Sequence, residues 1–422
     1  MIAAALYANQ QTAGEKFIKV DAILKDQTHS VVFSAATLLI LCVMSSCKAG
    51  GIGAGNPQRQ MFAPAPGSPV AVACGTSGVV VGDMNNDGKP DLIVVCEQTR
   101  ALTVLLATGG GAFRPLNPIT VPDPPGNIEL GDINGDKNLD LAIDSHDSYG
   151  VVLMLGDGKG GLAPAPNSPL VMKDGRQPHT HGLGLRDMNG DGNLDLLTVN
   201  NADNDVSVAL GDGRGGFARA PATFAVGPSP YPFALGDANN DGSPDIVATA
   251  TATGPLRAQQ LSSSFALTLL LNDGRGGFRR SELPVRTGQP WFADLGDVNG
   301  DGKPDVIATH HDQSRLTVLL GDGAGRFSEV SNSPFDFGRS AFQVKLADVN
   351  RDGRLDALAA AGEGVRVMLG DGRGNFTTAP GSPFLSGRGV WRFAVRDMNG
   401  DGKLDLVTSN QDSRSVSILL GQ

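Results

Sequence analysis

One nine-residue pattern, Asp-x-Asn-x-Asp-Gly-x-x-Asp, constrains this chain more than any other feature, because it recurs seven times at intervals of roughly 50 to 60 residues. A repeat of that length means that one small supersecondary unit is copied and stacked, since no single copy can bury a core alone. In chain order the copies are Asp83, Asn85, Asp87, Lys89 and Asp91; Asp132, Asn134, Asp136, Asn138 and Asp140; Asp187, Asn189, Asp191, Asn193 and Asp195; Asp237, Asn239, Asp241, Ser243 and Asp245; Asp297, Asn299, Asp301, Lys303 and Asp305; Asp348, Asn350, Asp352, Arg354 and Asp356; and Asp397, Asn399, Asp401, Lys403 and Asp405. Three carboxylates in one tight turn repel one another unless something compensates them. A hard cation does so. Calcium takes six to eight oxygens from Asp, Asn, backbone carbonyls and water, and alternate residues of such a turn supply them, the seventh residue through its carbonyl.

The loops are not EF-hands. The twelfth position of the fifth copy is Ala308, inside the apolar run Val306-Ile307-Ala308, which reads as a strand instead of a Glu-bearing helix. An Asx-type turn that merely favours Asp, Asn and Gly is the structural alternative. The second copy has Lys137 where the turn glycine belongs. A left-handed non-glycine residue costs about 1 kcal/mol, so that site is expected to be weaker or empty.

A second signal keeps the same period. "LGDGKGG" at Leu155, "LGDGRGGF" at Leu210, "LNDGRGGF" at Leu271, "LGDGAGRF" at Leu320 and "LGDGRGNF" at Leu369 each follow an apolar strand. These are hairpin turns; without the Gly-Lys-Ser/Thr ending and a following helix they are not phosphate loops. Each repeat thus predicts four short antiparallel strands. Arranged radially they give an all-β, seven-bladed β-propeller. The chain ends in "SVSILLGQ", a third strand with no fourth, and the repeat region begins near Gln60 with "QMFAPAPGSPV", a fourth strand with no third. The N-terminal strand is expected to join the last blade and close the ring.

By these motifs, the chain from about Phe62 to Gln422 resembles FG-GAP/VCBS repeat proteins, the unit of the integrin α-subunit propeller and of many bacterial surface proteins. The resemblance implies a calcium-loaded propeller (up to seven Ca²⁺), usually a binding or adhesion module. Relatives include fungal lectins and polysaccharide-degrading enzymes, so it does not choose among these.

Seven bound Ca²⁺ would carry the formal charge of −10 to about +4, so the acidity is mostly ligand and does not argue for a cationic partner. No basic stripe interleaved with aromatics points to nucleic acid. Residues 1–46 read as an N-terminal extension with a secretory or lipoprotein signal. Its apolar run Val31–Met44 is short for a membrane span and ends in "MSSC", where Cys47 is a candidate lipidation site for membrane anchoring. Residues 47–60 read as a flexible tether and 61–422 as the propeller. The expected location is outside the cytoplasm, as an envelope lipoprotein or extracellular protein. Cys74 and Cys96 flank the first acidic loop and fit either an exported disulfide or two buried thiols.

Six residues before the first Asp of each loop stand Ser77, Gly126, His181, Tyr231, Trp291, Phe342 and Trp391. That position lies on the face opposite the acidic loops. Its rings either plug the core or form a surface for glycan or protein, where flat side chains stack on sugars or anchor a partner. His181, Tyr231, Trp291, Trp391 and the pair His310 and His311 are the candidate ligand-binding residues. His310 and His311 are expected to be solvent-facing, and the insertion "TATGPLRAQQLSSSF" from Thr251 to overhang the same face. A transition-metal site of His179, His181, His310 and His311 is conceivable, although no spacing enforces it. A non-enzymatic binder is favoured over a polysaccharide-active enzyme using His and Asp, because no catalytic carboxylate pair or nucleophile elbow stands outside the acidic loops.

Overall fold

The computed structural model describes residues 60–422 apart from 176–177, 252–264, 287, 311–312 and 339–340. The chain divides into two units, Met1–Pro57 and Gln58–Gln422, and the described strands belong to the second. The expected leader, tether and Cys47 lie outside the described residues, as do His311 and nearly all of the insertion that follows Thr251.

The described residues are all-β, with one 3-10 turn at Glu97–Thr99 and no α-helix. Within a repeat the strands hydrogen-bond in chain order, each antiparallel to the last. In the fifth repeat Pro290–Gly296 leads into the acidic loop, Asp305–His310 leaves it, Arg315–Gly321 runs to the Gly-rich turn, and Phe327–Glu329 closes the sheet. The register sets Gly296 opposite Asp305, Val306 opposite Leu319, and Gly321 opposite Phe327. Five sheets have four or five strands, and a nine-stranded sheet joins the sixth and seventh repeats, where the long strand Phe384–Arg396 serves both.

The second strands read as unbroken apolar runs because both of their faces are buried. In Asp91–Cys96, Leu92 and Val94 enter one core while Ile93 and Val95 enter the next. Each core therefore lies between consecutive sheets: Ile93 and Val104 meet Leu141 and Met154, and Ile307 and Val318 meet Ala357 and Met368. The ends of the repeat array also meet. Val79, Leu92 and Val94 of the first repeat share a core with Val407, Val416 and Ile418 of the last. Phe62–Pro64 pairs antiparallel with the final strand, Phe62 opposite Gly421 and Pro64 opposite Leu419, as the incomplete strand sets at the two chain ends imply. Of the two readings open for the cysteines, the fold takes the disulfide: Cys74 and Cys96 are bonded, with Cα atoms 5.8 Å apart.

Candidate functional site

The acidic loops share one hydrogen-bond plan. In the fifth, Asp297 Oδ2 accepts from the Gly302 amide at 2.8 Å, Asn299 Oδ1 from Asp301 at 2.9 Å, and Asp301 Oδ1 from Lys303 at 2.9 Å. The ninth residue does something different. Asp305 is fully buried, its Oδ2 accepts from the Val298 amide and its Oδ1 from the Gly321 amide, both at 2.9 Å. It thereby buckles the start of the loop, the second strand and the end of the third strand together. Asp91, Asp140, Asp195, Asp245, Asp356 and Asp405 are equally buried and make the same two bonds. Burial raises all of these carboxyls, pushing Asp245, Asp305 and Asp356 up to about 6.

The sixth loop position is left-handed throughout, with φ +80° at Gly302 and +69° at Lys137, whose amide still reaches Asp132 Oδ2 at 2.8 Å. Lys137 thus accepts backbone strain to keep the common plan. Lys137→Gly is expected to raise stability in EDTA by about 0.5–1 kcal/mol in denaturant unfolding; an unchanged or lower midpoint would show that the lysine is not strained there.

For a metal, the chemistry of the donors suits a hard cation: every side-chain donor in the loops is a carboxylate, amide or hydroxyl oxygen. Their present arrangement spends much of that capacity on backbone N–H groups, and among the described residues no three His, Cys, Asp or Glu side chains converge as a metal-holding cluster.

At the opposite ends of the first strands, the residues six before each loop come together as a continuous arc of rings. His181 stacks on Tyr231 with centroids 4.2 Å apart at 20°. Tyr231 meets Trp291 edge-on at 4.8 Å, Trp291 meets Phe342 edge-on at 6.3 Å, and Phe342 lies 4.1 Å from Trp391 at 31°. The arc runs through the third to seventh repeats and ends in the open: Trp391 is 43% exposed, one of few large hydrophobic side chains so placed among the described residues.

In the first two repeats the ring position holds Ser77 and Gly126, and polar groups fill the gap. A Cβ at Gly126 would lie 2.5 Å from Asp144 Oδ1 and 3.6 Å from His146 Nε2, so glycine is what admits them. Asp144 is buried and accepts from the Asn127 amide and Nδ2 at 2.5 and 2.7 Å; burial raises its carboxyl. His146 Nδ1 sits 3.5 Å from Glu97 Oε1. Burial works against the charged imidazole, but the bond to Glu97 and the charges of Asp144 and Glu97 outweigh it, and His146 is raised. The Glu97 carboxyl is correspondingly lowered by its bond to His146. His179 and His181 share an Nε2–Nε2 contact of 2.7 Å. Burial and the neighbouring His146 lower both, pushing His181 down to about 2. Arg392, facing Asp144, Glu129 and Glu97, completes the cluster, while Glu129 is lifted to about 7 by burial against the opposing pull of Lys345, Arg392 and Arg186.

His310 does not join this site as a solvent-facing residue, and His311 lies outside the described residues. His310 is buried, paired across the sheet with Arg315, and its Nε2 lies 2.7 Å from Thr317 Oγ1. The strand runs through residue 310, so that position belongs to the sheet and not to the loop after it. His179 and His181 do meet, with His146 in place of His310. Glu97 and His146 were not expected, yet each stands six residues after the ninth Asp of its loop, a position that repeat alignment alone would have marked.

A family model described as FG-GAP-like repeat matches residues 83–143, 187–248, 297–359 and 348–408. Among curated proteins no match was found. Several solved structures share the fold. BBS1N in its complex with ARL6DN aligns with a TM-score of 0.58 at 12% identity, over 86% of this chain and 98% of that one. An Agrocybe aegerita lectin, described as recognising non-reducing terminal N-acetylglucosamine, aligns with a TM-score of 0.51 at 20% identity, over 73% and 80%. Virginiamycin B lyase from Staphylococcus aureus aligns with a TM-score of 0.52 at 10% identity, over 83% and 97%. At such identities the likeness is one of fold.

Proposed function

This chain belongs to the FG-GAP-like repeat family, and on that premise we propose that it is an exported, calcium-stabilised binding module whose ligand, a glycan or a protein, docks on the face carrying the ring arc. The arc His181–Tyr231–Trp291–Phe342–Trp391 carries the proposal. A core plug would bury its rings, whereas this one ends in a half-exposed tryptophan beside a cluster of polar groups. Flat rings with hydrogen-bonding groups alongside suit a sugar, which offers both an apolar face and hydroxyls. In this reading the β-propeller has seven blades and closes on itself. Pairing of Phe62–Pro64 with the last strand and the core shared by first and last repeats support closure. The Cys74–Cys96 disulfide supports export. Calcium would be held by the first, third and fifth loop residues and the seventh carbonyl, most weakly at Asp132–Asp140, and would neutralise the crowded carboxylates. Cys47 remains the proposed lipid attachment point.

A second reading rests on the other half of the site. The His146–Glu97 pair beside Asp144 and Arg392 offers a proton donor and acceptor next to a sugar-sized surface, which is what a polysaccharide-active enzyme needs. New reducing or unsaturated ends appearing during incubation with a bound polysaccharide would favour it over simple binding.

Trp391→Ala tests the binding face. Its loss is expected to weaken binding of a glycan or cell-surface ligand by at least about 2 kcal/mol, as an anchoring tryptophan would, with little change in thermal midpoint because the ring is half in solvent. Unchanged binding in a folded variant would move the site elsewhere. A large loss of stability would make the ring a core plug.

A further inference from the structure

We propose that this face is selective for anionic sugar residues, with Arg366 as the anion anchor; the inference rests on the binding-face reading and names the ligand class it takes. Beside the ring arc is a cleft of about 630 Å³ lined by Phe342, Arg366, Glu363, Ser314, Gly338 and Pro383, among others. Phe342 is thus common to the arc and the cleft: its buried ring packs against the exposed Trp391, and the same residue lines the cleft that holds Arg366.

Arg366 stands in the third strand of the sixth repeat, Gly362–Gly370, opposite Ala359. Its Nε is buried and has no hydrogen-bond partner. Arg366 also takes part in none of the ion pairs found among the described residues. Leaving a guanidinium N–H buried and unpaired is costly and calls for a partner. Arg392 differs in its surroundings: although burial lowers it, the charges of Asp144, Glu129 and Glu97 act on it in the opposite sense. In the cleft the acidic residue is Glu363, which is exposed.

Local backbone makes room for the guanidinium. Gly338 has φ +77°, and a Cβ there would come within 3.0 Å of Nη1. A planar fork of donors beside an aromatic face matches a sugar ring bearing a carboxylate or sulfate: the ring stacks, and the anion takes two parallel N–H bonds.

The full chain in millimolar Ca²⁺ can be tested against polygalacturonate for carboxylate, dextran sulfate for sulfate and dextran as the neutral control. Binding to at least one polyanion is expected, weakening as NaCl rises, with dextran bound at least tenfold less tightly. Arg366→Gln should lose tenfold or more on that polyanion, with Arg366→Lys in between, both at the parent's thermal midpoint. Should Arg366→Gln not fold, the salt dependence of the parent and the Lys variant still decide. Dextran bound as tightly as the polyanions, with loss in Trp391→Ala, would overturn anion selectivity while sparing the face. Arg366→Gln binding a polyanion as well as the parent would overturn the role of Arg366. Failure of all three polymers to bind would overturn the acidic-sugar inference, leaving protein ligands of the face to the Trp391 test.

Discussion

Excess EDTA is expected to lower the thermal midpoint by about 10 °C or more relative to millimolar Ca²⁺. Each of the seven loops gathers three carboxylates, so close to half of the 44 acidic residues sit in these turns. An ion that binds only the folded state stabilises it by about 2.7 kcal/mol when present at a hundred times its dissociation constant. Several such sites sum to a free energy that shifts the midpoint of a chain this size by many degrees. Scanning calorimetry with and without chelator measures it directly. Equal midpoints would leave the loops as Asx turns with no structural ion.

Asp305→Ala is expected to destabilise the protein by about 2–5 kcal/mol, in EDTA as well as in calcium. Its carboxylate answers two amides, those of Val298 and Gly321, in a fully buried setting, and alanine leaves both without an acceptor. Asp301 is exposed and answers only its own loop, through the Lys303 amide and the Asn299 environment. Asp301→Ala should therefore cost less than about 1 kcal/mol in EDTA and show its full effect only when calcium is present. Denaturant unfolding of the two variants in both buffers separates the buckle from the proposed ion site. Similar losses in all four conditions would erase that division of labour.

The acidic loops and hairpin turns were legible because their grammar is local. Asp, Asn and Gly at fixed offsets dictate a turn wherever they occur, and the sevenfold period then dictates repeated sheets. The ring arc was legible for a related reason: counting back six residues from each loop follows the register of the first strand, and register is shared by all repeats. What the spacing does not carry is the role of the ninth Asp. As a motif residue it looks like a ligand, and only the fold shows that both its oxygens hold backbone amides.

His310 was misplaced because a His-His pair before a polar segment resembles a loop, whereas the sheet pairing extends through residue 310. Glu97 and His146 were overlooked because they lie in loops of different sequence, although their repeat position is the same. Arg366 could not be singled out at all. A charged residue in mid-strand reads as a solvated face until the cleft beside Phe342 is seen.

Both tryptophans of the protein, Trp291 and Trp391, lie in the ring arc. Their emission therefore reports on that face with no labelling. Titrating the calcium-loaded protein with polygalacturonate, dextran sulfate and dextran while following tryptophan fluorescence tests the binding face most directly. A saturable shift or quench, lost in Trp391→Ala, is the predicted result; a polymer that co-sediments with the protein yet leaves the emission of both tryptophans unchanged would contradict it.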